Sequence, residues 1–261
     1  MIDIHHHCIP GVDDGPRDLD EAVALCRLAL EDGIETIVAT PHVLRGNWQN
    51  GSRTPLADKL DHLCKAVGDA PRLLLGSEYY FDYDMADVLA SGEGIIPLAN
   101  SHYVLVEFDA HAIPPLVDVP LYRAQLGGWT PVIAHPERNE VFQAKPELLA
   151  ALVGRGAKAQ VTAGSIAGDF GPEAQRASLQ WIANGLVHFV ASDAHNVKRR
   201  PPRMGAARSA VAAAAGDAVA EALFHRNAEA VIGDRQLVWD PEPSVEAAGG
   251  LLSRLRKFFQ Q

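Results

Sequence analysis

The chain alternates short runs of β-branched and apolar residues with longer segments of helical period, and this alternation constrains its fold more than any other feature. Such alternation is typical of repeated βα units, which build a parallel sheet. We therefore predict an α/β fold. Seven runs have strand character: Met1 to Ile4, Ile34 to Thr40, Arg72 to Ser77, Tyr103 to Phe108, Pro131 to Ala134, Ala157 to Thr162 and Val187 to Ser192.

The segment between the first two runs shows the clearest helical pattern. Asp18 and Glu21 can form a capping box at its start, and Gly33 can end it. Its apolar residues follow the i, i+3, i+4, i+7 spacing of an amphipathic helix, and they are Leu19, Ala22, Val23, Cys26 and Leu30. Further helices are predicted at Pro55 to Val67, Leu116 to Leu126, Pro146 to Gly154, Pro172 to Asn184 and Arg203 to Phe224.

Seven parallel strands with interleaved helices could close into a barrel or stay open as a doubly wound sheet, and periodicity alone does not decide between them. We favour a distorted, seven-stranded (β/α)7 relative of the TIM barrel. We expect one domain over residues 1–240 and a C-terminal tail over residues 241–261. The tail contains a basic, apolar stretch from Leu251 to Phe259, which could contact a membrane or a partner, or form a terminal helix that packs on the body or frays.

Composition excludes several classes of protein. No apolar run reaches the roughly 18 residues of a membrane span, and the N-terminus lacks the pattern of a signal peptide, so we expect a cytoplasmic protein without a transmembrane segment. Cys8, Cys26 and Cys64 are odd in number and lack CxxC spacing, which argues against disulfides and a thiolate zinc site. A formal net charge of −10 disfavours nucleic acid as a partner.

Residues that can bind metal ions stand at the carboxyl ends of all the predicted strands except the sixth. In parallel α/β folds, sites assemble at this edge. Strand alternation puts His5 and His7 on one side, whereas His6 points the other way. Asp14 follows in the next turn, within reach of the same edge. The candidate ligands are His5, His7, Asp14, His42, Glu78, Glu107, His135, Asp193 and His195.

A single histidine on a strand is more often a hydrogen-bonded core residue than a metal ligand. The whole set is harder to explain structurally, because buried charges are costly unless metals or partners neutralise them. The donors are nitrogen and oxygen throughout, whereas closed structural zinc sites usually use cysteine. The pattern therefore predicts several divalent ions with open coordination positions, which indicates catalysis.

These motifs resemble the polymerase and histidinol phosphatase (PHP) superfamily. Three segments are similar to the bacterial PHP-type protein tyrosine phosphatases: Met1 to Gly15 (MIDIHHHCIPGVDDG), His135 to Asn139 (HPERN) and Val190 to Val197 (VASDAHNV). The likeness extends from Met1 to about Ile232. It implies a manganese-dependent enzyme associated with capsule and exopolysaccharide synthesis, with Zn²⁺ or Fe²⁺ as alternative metals.

The resemblance also implies how the ligands divide among three ions. In other branches of the superfamily the positions of Asp14 and Glu107 are histidine. Glu78 would be a bridging ligand. The first ion would take His5, His7, Glu78 and Asp193; the second Glu78, Glu107 and His135; the third Asp14, His42 and His195.

Ions grouped in this way would neutralise the oxygens of a phosphate monoester and activate water as a hydroxide that attacks phosphorus in line. Arg138 and Arg200 are the candidates for stabilising the charge that develops on phosphate, with Arg199 as the competitor of Arg200. Surface salt bridging is the alternative, and position beside two ligand motifs supports the phosphate role to the same extent. The loop from Val43 to Arg53 is a candidate slot for an aromatic side chain, or an ordinary surface loop.

The resemblance implies a phosphotyrosine protein as substrate, with a bacterial tyrosine kinase of polysaccharide assembly as the partner. A small-molecule phosphatase that acts on histidinol phosphate or a nucleotide is the first alternative. A non-catalytic metal-binding scaffold is the second. Amidohydrolases also begin with an HxH strand, but they commonly bridge two metals with a modified lysine, and no strand here ends in lysine. The oligomeric state is not predicted.

Overall fold

Every strand in residues 1–243, the part of the chain that the computed structural model describes, pairs with its neighbours in parallel. The prediction of an α/β fold with parallel strands is therefore confirmed. The stretch from Leu251 to Phe259 lies outside the described residues. The strands are β1 (Ile2–His6), β2 (Thr36–Ala39), β3 (His42–Val43), β4 (Arg72–Leu75), β5 (Glu78–Tyr80), β6 (Tyr103–Glu107), β7 (Thr130–Ala134), β8 (Lys158–Thr162) and β9 (Phe189–Ala191).

Residues 1–243 contain nine strands instead of the seven predicted. The second predicted run contains β2, and a further short strand, β3, follows it after Pro41, which has no N–H to donate to a ladder. The third contains β4, and β5 follows it beyond Gly76, where a Cβ atom would lie 3.1 Å from the side chains of Val38 and Leu98. Each interruption precedes a candidate metal ligand, His42 or Glu78, and changes the sheet in which the chain pairs.

The strands form two sheets, with the order β1-β2-β4 in one and β3-β5-β6-β7-β8-β9 in the other. Backbone hydrogen bonds join β1 to the segment that follows β9. The N–H of Asp193 donates to the carbonyl of His5, and the N–H of His7 donates to the carbonyl of Ala194, each at 2.9 Å. The first and last strands therefore lie side by side, with their candidate ligands adjacent.

Helices connect the strands largely where periodicity predicts them. Four short helices, α3, α5, α7 and α11, were not predicted, and the predicted helix from Arg203 to Phe224 is interrupted at Gly216, which has a φ of +96°. Within residues 1–243 no helix is both long and apolar enough to cross a membrane. The helices are α1 (Leu19–Glu31), α2 (Arg53–Val67), α3 (Met85–Ser91), α4 (Asp118–Leu126), α5 (Glu140–Ala144), α6 (Pro146–Gly154), α7 (Ala163–Ala167), α8 (Pro172–Ala183), α9 (Gly205–Ala215), α10 (Asp217–Glu221) and α11 (Asn227–Ile232).

Two buried apolar clusters flank the strands. Strand alternation puts Leu105 in one cluster, and Val104 and Val106 in the other, which packs against the helices. The first cluster also includes Ala228 and Val231 of α11, so this helix covers one end of the strand layer. The carboxyl ends of the strands, at the opposite edge, carry the candidate ligands.

Asn227 ties the segment after α11 to the body of the protein. Its buried side chain donates to the carbonyl oxygens of His188 (2.9 Å) and Trp239 (2.8 Å) and accepts from the N–H of Trp239 (3.0 Å). We expect Asn227→Ala to lower the free energy of unfolding by about 2 to 3 kcal/mol, because it leaves buried backbone groups without partners. Urea denaturation measures this loss, and the exposed Glu229→Ala on the same helix is the control. Equal stabilities of the two variants would contradict the prediction.

Candidate metal centre

The structure brings all nine predicted ligand residues together at the carboxyl ends of the strands. They form four overlapping groups, and within each group one donor atom from every member lies within 4.8 Å of the others. Among the described residues, no further side chain joins these groups. The groups are His7, Asp14, His42 and His195; His5, Glu78 and His135; His5, His7 and Asp193; and His42, Glu78 and Glu107.

Local backbone geometry turns two of these side chains toward the centre. His135 follows β7 with a φ of +31°, and Asp193 follows β9 with a φ of +51°. Residues other than glycine rarely adopt positive φ, and such strained conformations cluster at functional sites. Each of these residues lies just after a strand, in one of the segments that carry the family resemblance.

Glu78 lies at the middle of the cluster. Its Oε1 atom is 2.9 Å from His135 Nε2 and 3.4 Å from His5 Nε2. Its Oε2 atom is 3.0 Å from His42 Nδ1 and 3.3 Å from His7 Nε2. One buried carboxylate therefore faces four imidazole rings, the arrangement that a bridging ligand needs.

The observed groups differ from the sets that the resemblance implies. His7 lies with Asp14, His42 and His195, in addition to its place beside His5 and Asp193. Glu78 groups with His5 and His135, and separately with His42 and Glu107. The pair His135 and Glu107 is still close, with His135 Nε2 3.9 Å from Glu107 Oε1.

Burial and neighbouring charges shift the pKa values of the ionisable groups in the site in different directions. Burial alone would raise the pKa of Glu78, but His5 and His42 hold it well below the usual range. Burial alone would lower the pKa of His5, but Glu78 and Asp193 raise it to about 9. Burial and the neighbouring Glu78 raise the pKa of Glu107 to about 7. Carboxylates and imidazoles thus depend on each other for charge compensation.

Several of the atoms that could bind a metal ion are buried and have no well-directed hydrogen bond. Charged neighbours lie within 4 Å of them, but the directions are unsuitable for hydrogen bonding. Unsatisfied buried acceptors are costly, and a bound cation would satisfy them. The residues therefore fit divalent ions. These atoms are Glu78 Oε2, Glu107 Oε2, Asp193 Oδ1 and His195 Nε2.

Two residues that sequence reasoning did not nominate orient the histidines of β1. His7 Nδ1 donates to Asp13 Oδ2 at 2.8 Å, and His5 Nδ1 donates to Gln160 Oε1 at 2.8 Å. Both bonds leave Nε2 directed into the cluster, where the two Nε2 atoms are 3.2 Å apart. Such outer partners fix the tautomer of a metal-binding histidine. Gln160 lies on the sixth predicted strand, so that strand contributes orientation instead of a ligand.

Two other acidic residues of the motifs accept hydrogen bonds from neighbouring segments of the protein. Glu137 Oε1 accepts from the N–H of Thr162 (2.9 Å) and from Ser165 Oγ (2.6 Å), away from the ligands. Asp3 accepts from the N–H of Ser192 at 3.0 Å and thus holds β1 against β9. His6 belongs to none of the four groups, and burial lowers its pKa to about 3.

The two predicted arginines converge on one ligand atom. Arg138 Nη1 is 2.7 Å from Asp193 Oδ2, and Arg200 Nη2 binds the same oxygen. The buried Nε of Arg200 has no hydrogen-bond partner. Arg199 is exposed and lies in the neighbouring cavity. Of the two competing residues, Arg200 is therefore the one that reaches the cluster.

The loop from Val43 to Arg53 covers one side of the centre. The Trp48 ring stacks on His42, with a centroid separation of 5.0 Å and an interplanar angle of 8°. Arg45 Nη1 is 2.8 Å from Glu107 Oε2 and 2.9 Å from His42 Nε2. The loop therefore packs on the candidate ligands through Arg45 and Trp48.

Two cavities border the cluster. One, of about 660 Å³, lies beside Asp14 and His195. The other, of about 420 Å³, lies beside Glu107, His135 and Arg138. The centre is thus accessible from two sides.

A family model described as capsular polysaccharide synthesis, CpsB/CapC, matches residues 1–233. The chain is 40% identical over 203 residues to the tyrosine-protein phosphatase YwqE of Bacillus subtilis, covering 77% of this chain and 79% of that protein. It is 31% identical over 242 residues to the tyrosine-protein phosphatase CpsB of Streptococcus pneumoniae, covering 90% of this chain and 99% of that protein.

A solved structure shares this fold. It comes from a study of YwqE from Bacillus subtilis and CpsB from Streptococcus pneumoniae, which describes them as unique metal-dependent tyrosine phosphatases. The TM-score is 0.87 at 36% identity, with 94% of this chain and 100% of the other covered.

Proposed function

We propose that this chain, which belongs to the CpsB/CapC family of capsular polysaccharide synthesis, is a metal-dependent protein tyrosine phosphatase. The observation that carries the proposal is the cluster of nine nitrogen and oxygen ligands with two arginines converging on it. A phosphate monoester needs this combination of cation sites and fixed donors. The named relatives support the same reaction class.

The residues of the centre are suited to three divalent ions, for which we propose Mn²⁺. His5, His7, Glu78 and Asp193 would hold the first, Glu78, Glu107 and His135 the second, and Asp14, His42 and His195 the third. Bound ions supply Lewis-acid chemistry, which neutralises phosphate oxygens and activates water at neutral pH. The mixed set of five imidazoles and four carboxylates, without thiolates, supports a hard or borderline metal.

The protein's own residues hold and orient the substrate. Arg138 and Arg200 each use one N–H on Asp193, so their other N–H groups can bind the oxygens of a phosphate. Asp13 and Gln160 keep the imidazoles of His7 and His5 in fixed orientations. A tyrosine leaving group, with a pKa of about 10, departs without a dedicated general acid.

We further propose that residues 1–240 form a single domain built as a distorted seven-stranded barrel. β2 with β3, and β4 with β5, would each act as one interrupted barrel strand. The hydrogen bonds between β1 and the segment after β9 support closure. Continuity between the two sheets is supported by the chain itself, since only two residues separate β2 from β3 and β4 from β5, and each pair crosses from one sheet to the other.

The biological substrate proposed here is a phosphotyrosine protein, in particular a bacterial tyrosine kinase of capsule or exopolysaccharide synthesis. Membership of the capsular polysaccharide family supports this assignment. Histidinol phosphate and nucleotides are the competing substrates of the superfamily.

Turnover of the metal-loaded enzyme on a phosphotyrosine peptide, histidinol phosphate and a nucleotide tests the proposal. We expect kcat/KM for the peptide to exceed the other two values by about 100-fold or more, since sites discriminate by specific contacts to the leaving group. Chelation should abolish all turnover, and Mn²⁺ should restore it. A preference for histidinol phosphate or the nucleotide would replace the tyrosine phosphatase with a small-molecule phosphatase.

A further inference from the structure

We infer that the aromatic ring of the substrate binds in the cavity beside Glu107, His135 and Arg138, with Phe170 as the residue that selects an aryl phosphate. We call this cavity the aryl cleft; its walls include Tyr80, Phe108, Phe142 and Phe170. The inference rests on the proposed phosphatase function and adds a specificity-determining residue to it.

The aryl cleft begins at the metal centre itself. Two candidate ligands, Glu107 and His135, form part of its lining, together with the proposed phosphate-binding Arg138. A phosphate held at the cluster would therefore have its ester substituent directed into this space. The volume of about 420 Å³ lies within the range of about 300 to 1,000 Å³ found for small-ligand sites.

The back wall of the cleft is rigid. The Phe108 ring packs against Phe81 at a centroid distance of 5.0 Å and against Phe142 at 6.1 Å, and all three side chains are buried. Tyr80 is also fixed, because its hydroxyl donates to Asp109 and the guanidinium of Arg45 lies 5.3 Å from its ring. These side chains form a wall whose faces are already largely in contact with protein.

Phe170 is the most exposed of the four aromatic residues that line the cleft. It is 37% exposed and lies in the loop between α7 and α8, where it packs close to the backbone of Gly164. The guanidinium carbon of Arg138 lies 4.8 Å from the Phe170 ring centroid. Arg138 thus connects the anion site to an exposed aromatic ring, the two features that an aryl phosphate presents together.

The other openings of the centre do not fit a ring as well. The cavity of about 660 Å³ beside Asp14 is lined by charged and small side chains, including Arg17, Lys198 and Arg199, with no aromatic residue among its described lining. The Trp48 ring already stacks on His42. The loop predicted as a slot, residues 43–53, contributes Arg45 to the lining of the aryl cleft.

The test compares wild type with Phe170→Ala and Phe170→Leu. Binding of phenylphosphonate and methylphosphonate to the metal-loaded protein is measured by calorimetry, and kcat/KM is measured for phosphotyrosine and phosphoserine peptides. We expect Phe170→Ala to weaken phenylphosphonate binding about tenfold and leave methylphosphonate unchanged, as expected for loss of one aromatic contact. The affinity of Phe170→Leu for phenylphosphonate should fall between that of wild type and that of Phe170→Ala. Tyr122→Ala, an aromatic residue on α4 that is 56% exposed, is the matched control.

The outcomes separate the inference from the proposed function. Equal losses for the phenyl and methyl ligands, or no loss for either, would overturn the aryl cleft even if the enzyme hydrolyses phosphotyrosine. Hydrolysis of neither peptide by wild type, with selective phenylphosphonate binding retained, would overturn the proposed function and leave the cleft standing. A selective loss in the Tyr122 control would also count against Phe170.

Discussion

Replacing Glu78 with glutamine is expected to lower kcat for phosphotyrosine hydrolysis by about a thousandfold or more, since a metal-bridging carboxylate has no neutral substitute. The substitution preserves the shape of the side chain and removes its charge. Four histidine nitrogens lie within 3.4 Å of the Glu78 oxygens, so one replacement changes the surroundings of His5, His7, His42 and His135. Steady-state kinetics and the number of metal ions bound per chain, measured on the same samples, check this expectation.

A buried acid of the same type provides the control. Glu137 is also fully buried, but its carboxylate accepts from Thr162 and Ser165 instead of facing the ligands. Glu137→Gln should therefore retain the wild-type metal content, whereas Glu78→Gln should lose more than one ion per chain. Full metal content in Glu78→Gln would contradict a bridging role. A loss of metal in both variants would point to a general effect of charge in the core.

The ligand positions could be predicted because strand geometry converts sequence order into spatial order. Once β-branched runs are taken as parallel strands, residues at their carboxyl ends must meet at one edge, however far apart they lie in the chain. His5 and Asp193 illustrate this, being separated by most of the sequence and 3.2 Å apart in the structure. The ordinary rule that buried charges need compensation then made the cluster a candidate metal site.

The supporting residues could not be predicted in the same way. Gln160 is one of three polar residues in β8, with Lys158 and Thr162, and only its hydrogen bond to His5 distinguishes it from a buried amide of the core. Asp13 stands beside the nominated Asp14, and the turn decides which of the two orients His7. Such roles depend on side-chain direction in turns, which periodicity does not encode.

The interruptions of the strands and the aryl cleft have a similar origin. Periodicity identified the runs that precede Pro41 and end at Ser77 but not β3 and β5, which follow them in the other sheet. Phe170 reaches the centre from a loop that follows an unpredicted short helix. Its distance from every ligand in the sequence left no pattern that could have connected it to Arg138.

Replacing Arg138 or Arg200 with methionine is expected to lower kcat about 100- to 1,000-fold each, the usual effect of removing a charged donor from a developing transition state. Methionine keeps an apolar side chain of comparable length and removes the N–H groups. Because both guanidinium groups bind Asp193 Oδ2, the double variant should lose less than the product of the two single losses. Measurements of kcat for wild type, both single variants and the double variant complete the double-mutant cycle.

Arg199→Met distinguishes local charge from a specific contact. Arg199 is adjacent to Arg200 in sequence and carries the same charge, but it is exposed, whereas Arg200 is partly buried and contacts Asp193. We therefore expect the Arg199 variant to lose less than about threefold, the range of a screened surface charge. A loss as large as that of Arg200→Met would show that phosphate is attracted by the positive charge of the whole segment. Salt separates the two explanations further, since a steering effect weakens as ionic strength rises and a direct contact changes little.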